Sequence, residues 1–411
     1  MKARNIHMAD WDQLAAQYPV YERLAKRYRD ERPRKLLALD GGGIRGVLTL
    51  QVLIRMEELL RKESGQGDDF RLCNFFDYIG GTSTGAIIAA GLAIGMSAQE
   101  LSDFYIATGP KMFEKAFILE RLRHLYKKEP LTEELKKTYG PRTNLGSNKL
   151  RCLLLVVTRN VSTDSPWPIS SNPFARYNDL TRKDCNLQIP LWQLVRASTA
   201  APVFFPPEVL NWDPADPSKT FLFEDGGLTP YNNPSFLLAR MATQESYGLG
   251  WKTGENHLLV MSIGTGAAPK VDAEIYESGK TAFLNLVNFP AALMYGAQVD
   301  QDINCRVVGR CMSGPQIDRE FGDGIPRRVD GKEKKEVPLS EDLGRAFLYA
   351  RYNAELSSEW LKERGLGKVN PAKVAKLDSV EYVPDLVRVG QALAKEVKPE
   401  HFALERFGQF Y

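Results

Sequence analysis

The segment Gly81-Thr82-Ser83-Thr84-Gly85 sets a serine between glycines in a G-x-S-x-G pattern, after a strand-like pair (Tyr78, Ile79) and before a small-residue, helix-like run. A sharp strand-to-helix turn holds such a serine Oγ clear of the backbone at a helix N-terminus, and the flanking glycines remove the Cβ clashes the turn would create. A nucleophilic serine needs a base, and the chain has four histidines. His7 lies in the N-terminal segment, His124 in a basic helix-like run, His257 at the start of an expected strand and so at the sheet edge opposite the serine, and His401 near the C-terminus. None has the loop position that a serine-histidine-acid triad requires. Asp225 does better: it ends a short strand-like run and is followed by Gly226-Gly227, so its carboxylate can lie at the same sheet edge as Ser83. The expectation is a Ser83-Asp225 dyad. The plainer alternatives are a serine N-cap in a small-residue turn and a turn aspartate before Gly-Gly.

Acyl transfer also requires hydrogen-bond donors for a developing oxyanion. LLALDGGGIRGVLTL (36–50) places Gly41, Gly42 and Gly43 between a strand-like and a helix-like run, where successive amides and the helix dipole form an anion-binding nest suited to a tetrahedral intermediate. Gly41, Gly43 and Gly46 also spell G-x-G-x-x-G. A dinucleotide cradle would require a second strand ending in Asp or Glu about 20 residues later. The polar ESGQGDD follows instead, and no G-K-[ST] is present.

These groups need a scaffold. With 411 residues, 43% of them hydrophobic and 26% charged, the chain can bury a large core, and one α/β domain with extensions is favoured over two domains. A net charge of +3 from nearly balanced acids and bases supplies no global basic field, so a nucleic-acid polymer is not an expected partner. The five cysteines lack C-x-x-C spacing and fit buried thiols in a reducing cytosol. No apolar run reaches spanning length and the first residues contain no apolar signal core, so neither export nor a transmembrane anchor is expected. Strand-like runs at 35–40, 78–79, 151–161, 221–224 and 257–266 alternate with helix-like ones at 47–62, from 85, from 97, at 191–200 and from 234, implying a mainly parallel sheet covered on both faces. Residues 162–174 read as a Pro/Ser/Asn-rich loop, and the chain from about 340 reads as helical. Residues 11–28 read as a helical docking arm broken at Pro19.

Together, D-G-G-G-I-R-G at 40–46, G-T-S-T-G at 81–85 and D-G-G at 225–227 resemble the patatin-like phospholipases. The stretches R-A-S-T-A-A-P at 196–202 and N-P-F at 172–174, through Tyr177, are similar to the family as well. The resemblance covers roughly 35–266. It implies a three-layer α/β/α sandwich, a serine-aspartate dyad that uses no metal or other cofactor, and phospholipase A type hydrolysis of membrane glycerolipid esters. Ser83 and Asp225 would be catalytic, Gly41, Gly42 and Gly43 would form the oxyanion hole, and Arg45 would support that loop. The expected layout is an N-terminal helical arm (1–34), a catalytic domain (35–335) and a C-terminal helical extension packed on it (336–411). Some bacterial members serve cyclic-nucleotide antiviral signalling, so a cyclic-nucleotide activator is a further expectation, as is a cytoplasmic enzyme that meets the inner membrane surface peripherally. A non-catalytic α/β module that holds a phosphorylated ligand on the glycine loop is the competing class.

Residues 111–128 (KMFEKAFILERLRHLYKK) combine apolar side chains with six basic ones, the composition of a helix lying in an anionic interface, although a surface helix packed on the core has the same pattern. Phe174, Phe204 and Phe205 could line an acyl groove or fill core.

Overall fold

The computed structural model describes residues 10–112, 127–202, 204–213, 215–267, 281–317, 322, 327–329, 336–338 and 344–411. Helices α1 (Trp11–Gln17) and α2 (Glu22–Tyr28) precede β1 (Arg34–Leu39); α3 (Gly46–Ser64) and α4 (Leu72–Phe75) lead into β2 (Tyr78–Thr82). Three helices follow, α5 (Thr84–Ala93), α6 (Ala98–Met112) and α7 (Glu129–Tyr139). Next come β3 (Leu153–Asn160), β4 (Ser165–Ser170), α8 (Leu191–Ser198), β5 (Glu208–Asn211), β6 (Thr220–Asp225), α9 (Ser235–Thr243) and β7 (Leu258–Ile263). Helix α10 (Thr281–Val308) then leads to β8 (Arg310–Ser313), a small ribbon of β9 (Arg327–Val329) and β10 (Glu336–Pro338), and β11 (Leu348–Tyr352). Short helices, among them Ser358–Glu363 and Val383–Ala394, complete the chain.

Among the described residues the main sheet has nine strands in the order β5-β6-β3-β2-β1-β7-β11-β8, with β4 also paired to β3. The run from β3 to β8 is parallel, whereas β4 and β6 are antiparallel to β3 and β5 is antiparallel to β6. Strands β1, β2 and β7 are buried along their whole length, as a sheet covered on both faces requires. Successive residues of a strand face opposite sides. Gly80 of β2 faces Leu238 of α9, whereas Gly81 abuts the backbone of α5 at Gly85, so α5 and α9 lie on opposite faces. Helices α3 and α6 pack with α5, and α10 packs with α9, which gives the expected three-layer α/β/α sandwich.

Two elements differ from the sequence reading. The expected loop at 162–174 contains β4, whose Pro166 and Pro168 sit opposite Arg159 and Val157 of β3. Two prolines at alternate positions withhold their missing N–H groups from the same side, which an edge strand tolerates. The expected C-terminal helix is interrupted by β11, inserted between β7 and β8. All five of its residues are buried, including Arg351, whose charge is met by Asp40. Tertiary pairing overrides the helical reading there, and the expected helical extension is in part a strand of the main sheet.

The N-terminal arm docks as expected, with Trp11, Tyr21, Leu24 and Tyr28 buried and Pro19 in the turn between α1 and α2. Its anchor is Asp77, fully buried immediately before β2. Arg32 Nη2 donates to Asp77 Oδ1 at 2.6 Å, Arg27 Nε to the same oxygen at 3.2 Å, and the Lys35 N–H to Oδ2 at 2.9 Å. Burial alone would raise this carboxyl, but Lys35, Arg32, Arg27 and Arg34 reverse the effect and hold it far below the usual range. The anchor therefore sits at the end of β2 opposite Ser83, about 20 Å away at strand spacing. Asp77→Ala should cost about 4 kcal/mol of unfolding free energy in urea at neutral pH, because it leaves buried guanidinium groups without their counter-ion. A depressed carboxyl stabilises above its unfolded pKa and loses that contribution as pH falls, so the gap between wild type and Asp77→Ala should narrow with acidification.

Candidate active site

Strand β3 has two edges, and β4 pairs along one of them from Leu155 to Asn160. The other edge is shared. Parallel β2 occupies it up to Thr82, opposite Val157, and antiparallel β6 arrives from the other direction with Asp225 opposite Thr158. The C-terminal ends of β2 and β6 thus abut, and the residue after one meets the last residue of the other. Gly226 lies against the Val157 carbonyl and the Thr82 methyl at this junction. Ser83 Oγ donates to Asp225 Oδ2 at 2.6 Å.

Ser83 has φ 53° and ψ −122°, a conformation that strains a residue with a Cβ. The turn is held from both sides. The Ser83 N–H donates to Ser198 Oγ at 2.9 Å, and the Ser198 hydroxyl donates to the Val157 carbonyl at 2.6 Å, tying the elbow to β3. The opposite oxygen of Asp225 accepts the Gly227 N–H at 2.7 Å. Burial pushes the Asp225 carboxyl up to about 6, against the pull of the Ser83 hydroxyl, the Gly227 amide and the Arg196 guanidinium. Of the histidines, His257 precedes β7 at the far sheet edge and His401 faces the Tyr352 hydroxyl at 2.6 Å; His7 and His124 lie outside the described residues.

The glycine loop runs beside this pair, with Ser83 Cβ close to Gly41. The Gly41 N–H is committed to the Asn232 carbonyl at 3.1 Å, which takes it out of the expected nest of three amides. Gly43 takes φ +59° and has no room for a side chain against the Leu377 carbonyl. Arg45 donates from Nε to the Gly42 carbonyl at 3.3 Å and from Nη1 to the Gly266 carbonyl at 3.1 Å.

Ser83, Asp225 and Gly43 open on a cleft whose walls include Ile87, Tyr105, Met112, Leu131, Phe204 and Met294. Its lining is overwhelmingly apolar, the chemistry of an acyl-chain site. Phe205 joins Phe204 in the wall, whereas Phe174 packs edge-on against Trp11 and belongs to the arm's interface. Of the basic amphipathic stretch at 111–128, Met112 lines the cleft and Lys128 caps α7, but 113–126 lie outside the described residues. No helix among the described residues is long and apolar enough to cross a membrane.

Several residues here escaped the sequence reading. Ser198 lies in a stretch that was singled out without a role. Asn232 is fully buried between Gly41 and Gly227, with neither side-chain atom hydrogen-bonded among the described residues. Thr265, Arg351 and Leu377 carry no local signal.

Residues 37–238 match the family model described as Patatin-like phospholipase. The chain is 32% identical over 230 residues to a cGAMP-activated phospholipase of Vibrio cholerae, covering 53% of this chain and 59% of that protein. A cGAMP-activated phospholipase of Escherichia coli is also 32% identical over 216 residues, covering 50% and 55%. Patatin-like protein 1 of Arabidopsis thaliana is 27% identical over 277 residues, covering 62% and 63%. The chain thus spans less than two thirds of the length of each of these relatives. Its motifs, its layered sheet and the family match agree: the chain carries a patatin-like phospholipase domain.

Proposed function

We propose that this chain is a serine-dependent lipid acyl hydrolase of the phospholipase A type, acting on membrane glycerolipid esters through Ser83 and Asp225. The observation that carries the reading is the 2.6 Å Ser83-Asp225 hydrogen bond at the head of an apolar cleft. Ser83 Oγ attacks the ester carbonyl as its proton passes to Asp225, and the amides of Gly42 and Gly43 stabilise the tetrahedral oxyanion. Asp225 returns that proton to the departing alkoxide, leaving an acyl-serine. Water, deprotonated by Asp225, then releases the fatty acid, and Ser83 recovers its proton. A phosphorylated ligand fits less well, because a buried carboxylate and apolar walls oppose an anion.

The relatives from Vibrio cholerae and Escherichia coli are described as cGAMP-activated. We extend this to a cyclic-nucleotide activator for this chain, within antiviral defence, and to a cytoplasmic protein that meets the inner membrane surface only peripherally. Thin-layer or mass-spectrometric analysis of fatty acid released from phospholipid vesicles, with and without cyclic dinucleotide, tests the substrate class and the activation together.

Ser83→Ala and Asp225→Asn should each abolish fatty-acid release in folded protein, and a fluorophosphonate should label wild type at Ser83. Activity at full strength in either variant overturns the dyad. On a soluble short-chain ester, kcat/KM should climb with pH through a single ionisation near the Asp225 value of about 6 and level off above it, since the ionised carboxylate is the base. A profile that falls across this range contradicts that role. Ser83→Gly should raise the unfolding free energy by about 1 kcal/mol in thermal or urea melts while Ser83→Ala does not, because only glycine relieves the positive φ.

A further inference from the structure

We propose that Arg351 is a positioning residue for the oxyanion loop, so that the donor geometry at Gly42 and Gly43 is set by strand β11, far outside the segment that matches the family. The inference rests on the acyl-hydrolase reading above. A loop containing Gly41-Gly42-Gly43 is conformationally soft and has few side chains of its own with which to fix itself. Its fixed points come from elsewhere. Asp40, the residue before the glycines, is fully buried and receives Arg351 bidentately, Nη1 to Oδ1 at 2.8 Å and Nη2 to Oδ2 at 2.5 Å. Arg351 is itself buried, and its Nη1 also donates to Ser262 Oγ of β7 at 2.7 Å. The Asp40 N–H donates to the Ile263 carbonyl, Thr265 Oγ1 to the Gly41 carbonyl at 2.9 Å, and the Ile44 N–H to the Leu377 carbonyl at 2.9 Å.

The other charges nearby do not substitute for this pair. Asp302 is engaged by Arg306 and by the Tyr349 hydroxyl, and Arg45 donates to the carbonyls of Gly42 and Gly266. A bidentate guanidinium fixes both the position and the plane of its carboxylate. Held at both oxygens, Asp40 cannot rotate, and the peptide leading into Gly41 cannot swing the following amides off the oxyanion position. A pair retained only for stability could be replaced by neutral residues with little loss. A pair that sets donor geometry could not, because displacement by about 1 Å costs on the order of a hundredfold in rate.

The test uses the full chain, a soluble short-chain ester, a trifluoromethyl ketone that becomes a tetrahedral adduct on Ser83, and an ether analogue that cannot react. Asp40→Asn/Arg351→Met removes both charges of the pair, so neither partner is left as half of a broken ion pair. It should fold, lose about a hundredfold in kcat and in ketone affinity, and bind the ether within about threefold of wild type. Arg351→Lys should recover about tenfold of that loss, since charge returns without the planar fork. Ser262→Ala removes one hydrogen bond to Arg351 and should lower kcat and ketone affinity by about fivefold without weakening ether binding, which decides the matter if the double variant does not fold. Wild-type kcat and ketone affinity in the folded double variant or in Ser262→Ala overturns the inference, as does parallel loss of ether and ketone binding. If wild type neither turns over ester nor is labelled at Ser83, the acyl-hydrolase reading itself fails, a result separate from any of these.

Discussion

The end-to-end meeting of β2 and β6 along one edge of β3 is the constraint on which the rest of the site depends. A parallel and an antiparallel strand share that edge, so neither can extend without displacing the other, and each must leave the sheet where they meet. For β2 the exit is a tight turn into α5 with Ser83 at its apex, and for β6 it is the Asp225-Gly226-Gly227 turn. The Ser83-Asp225 contact therefore follows from strand register, one ladder position apart at Val157 and Thr158. Ser198 reinforces the same point by joining the elbow's amide to the Val157 carbonyl, which fixes the height of the elbow above the sheet.

Three buried aspartates show how environment separates roles for one side chain. Asp77 is surrounded by cations and held ionised, and it ties the arm to the sheet. Asp40 has a single dedicated guanidinium that saturates both oxygens. Asp225 has one hydroxyl, one amide and a guanidinium in its neighbourhood, too little to offset burial, so its proton affinity moves toward neutrality. Burial raises the Asp40 carboxyl as well, despite Arg351, but its oxygens are both taken by that guanidinium, whereas Asp225 meets the Ser83 hydroxyl at the cleft. Asp77 and Asp40 hold structure in place around it.

What could be read from the sequence was what is local. The elbow, the glycine loop and the D-G-G turn each lie within a few residues and carry their own physical signature. Helical periodicity located α3, and continuous apolar runs located β1, β3 and β7. Strand β4 was obscured because its prolines read as loop, and their tolerance depends on an edge position that only the assembled sheet defines. Strand β11 was obscured because FLYARY fits either period and its arginine is acceptable in a core only opposite Asp40, 311 positions away. The role of Ser198 was hidden for the same reason: its hydroxyl joins backbone groups brought near by the fold.

The strand order carries a consequence for biosynthesis. Strand β8 precedes β11 in the chain, yet in the sheet β11 separates it from β7. During synthesis, therefore, β8 emerges before the edge it pairs with exists, and the sheet beyond β7 cannot close until residue 352 has left the ribosome. Until then Asp40 has no cation and the glycine loop lacks its brace, although the elbow and its aspartate are already made. The growing chain thus brings Ser83 and Asp225 together before the Asp40–Arg351 pair can form.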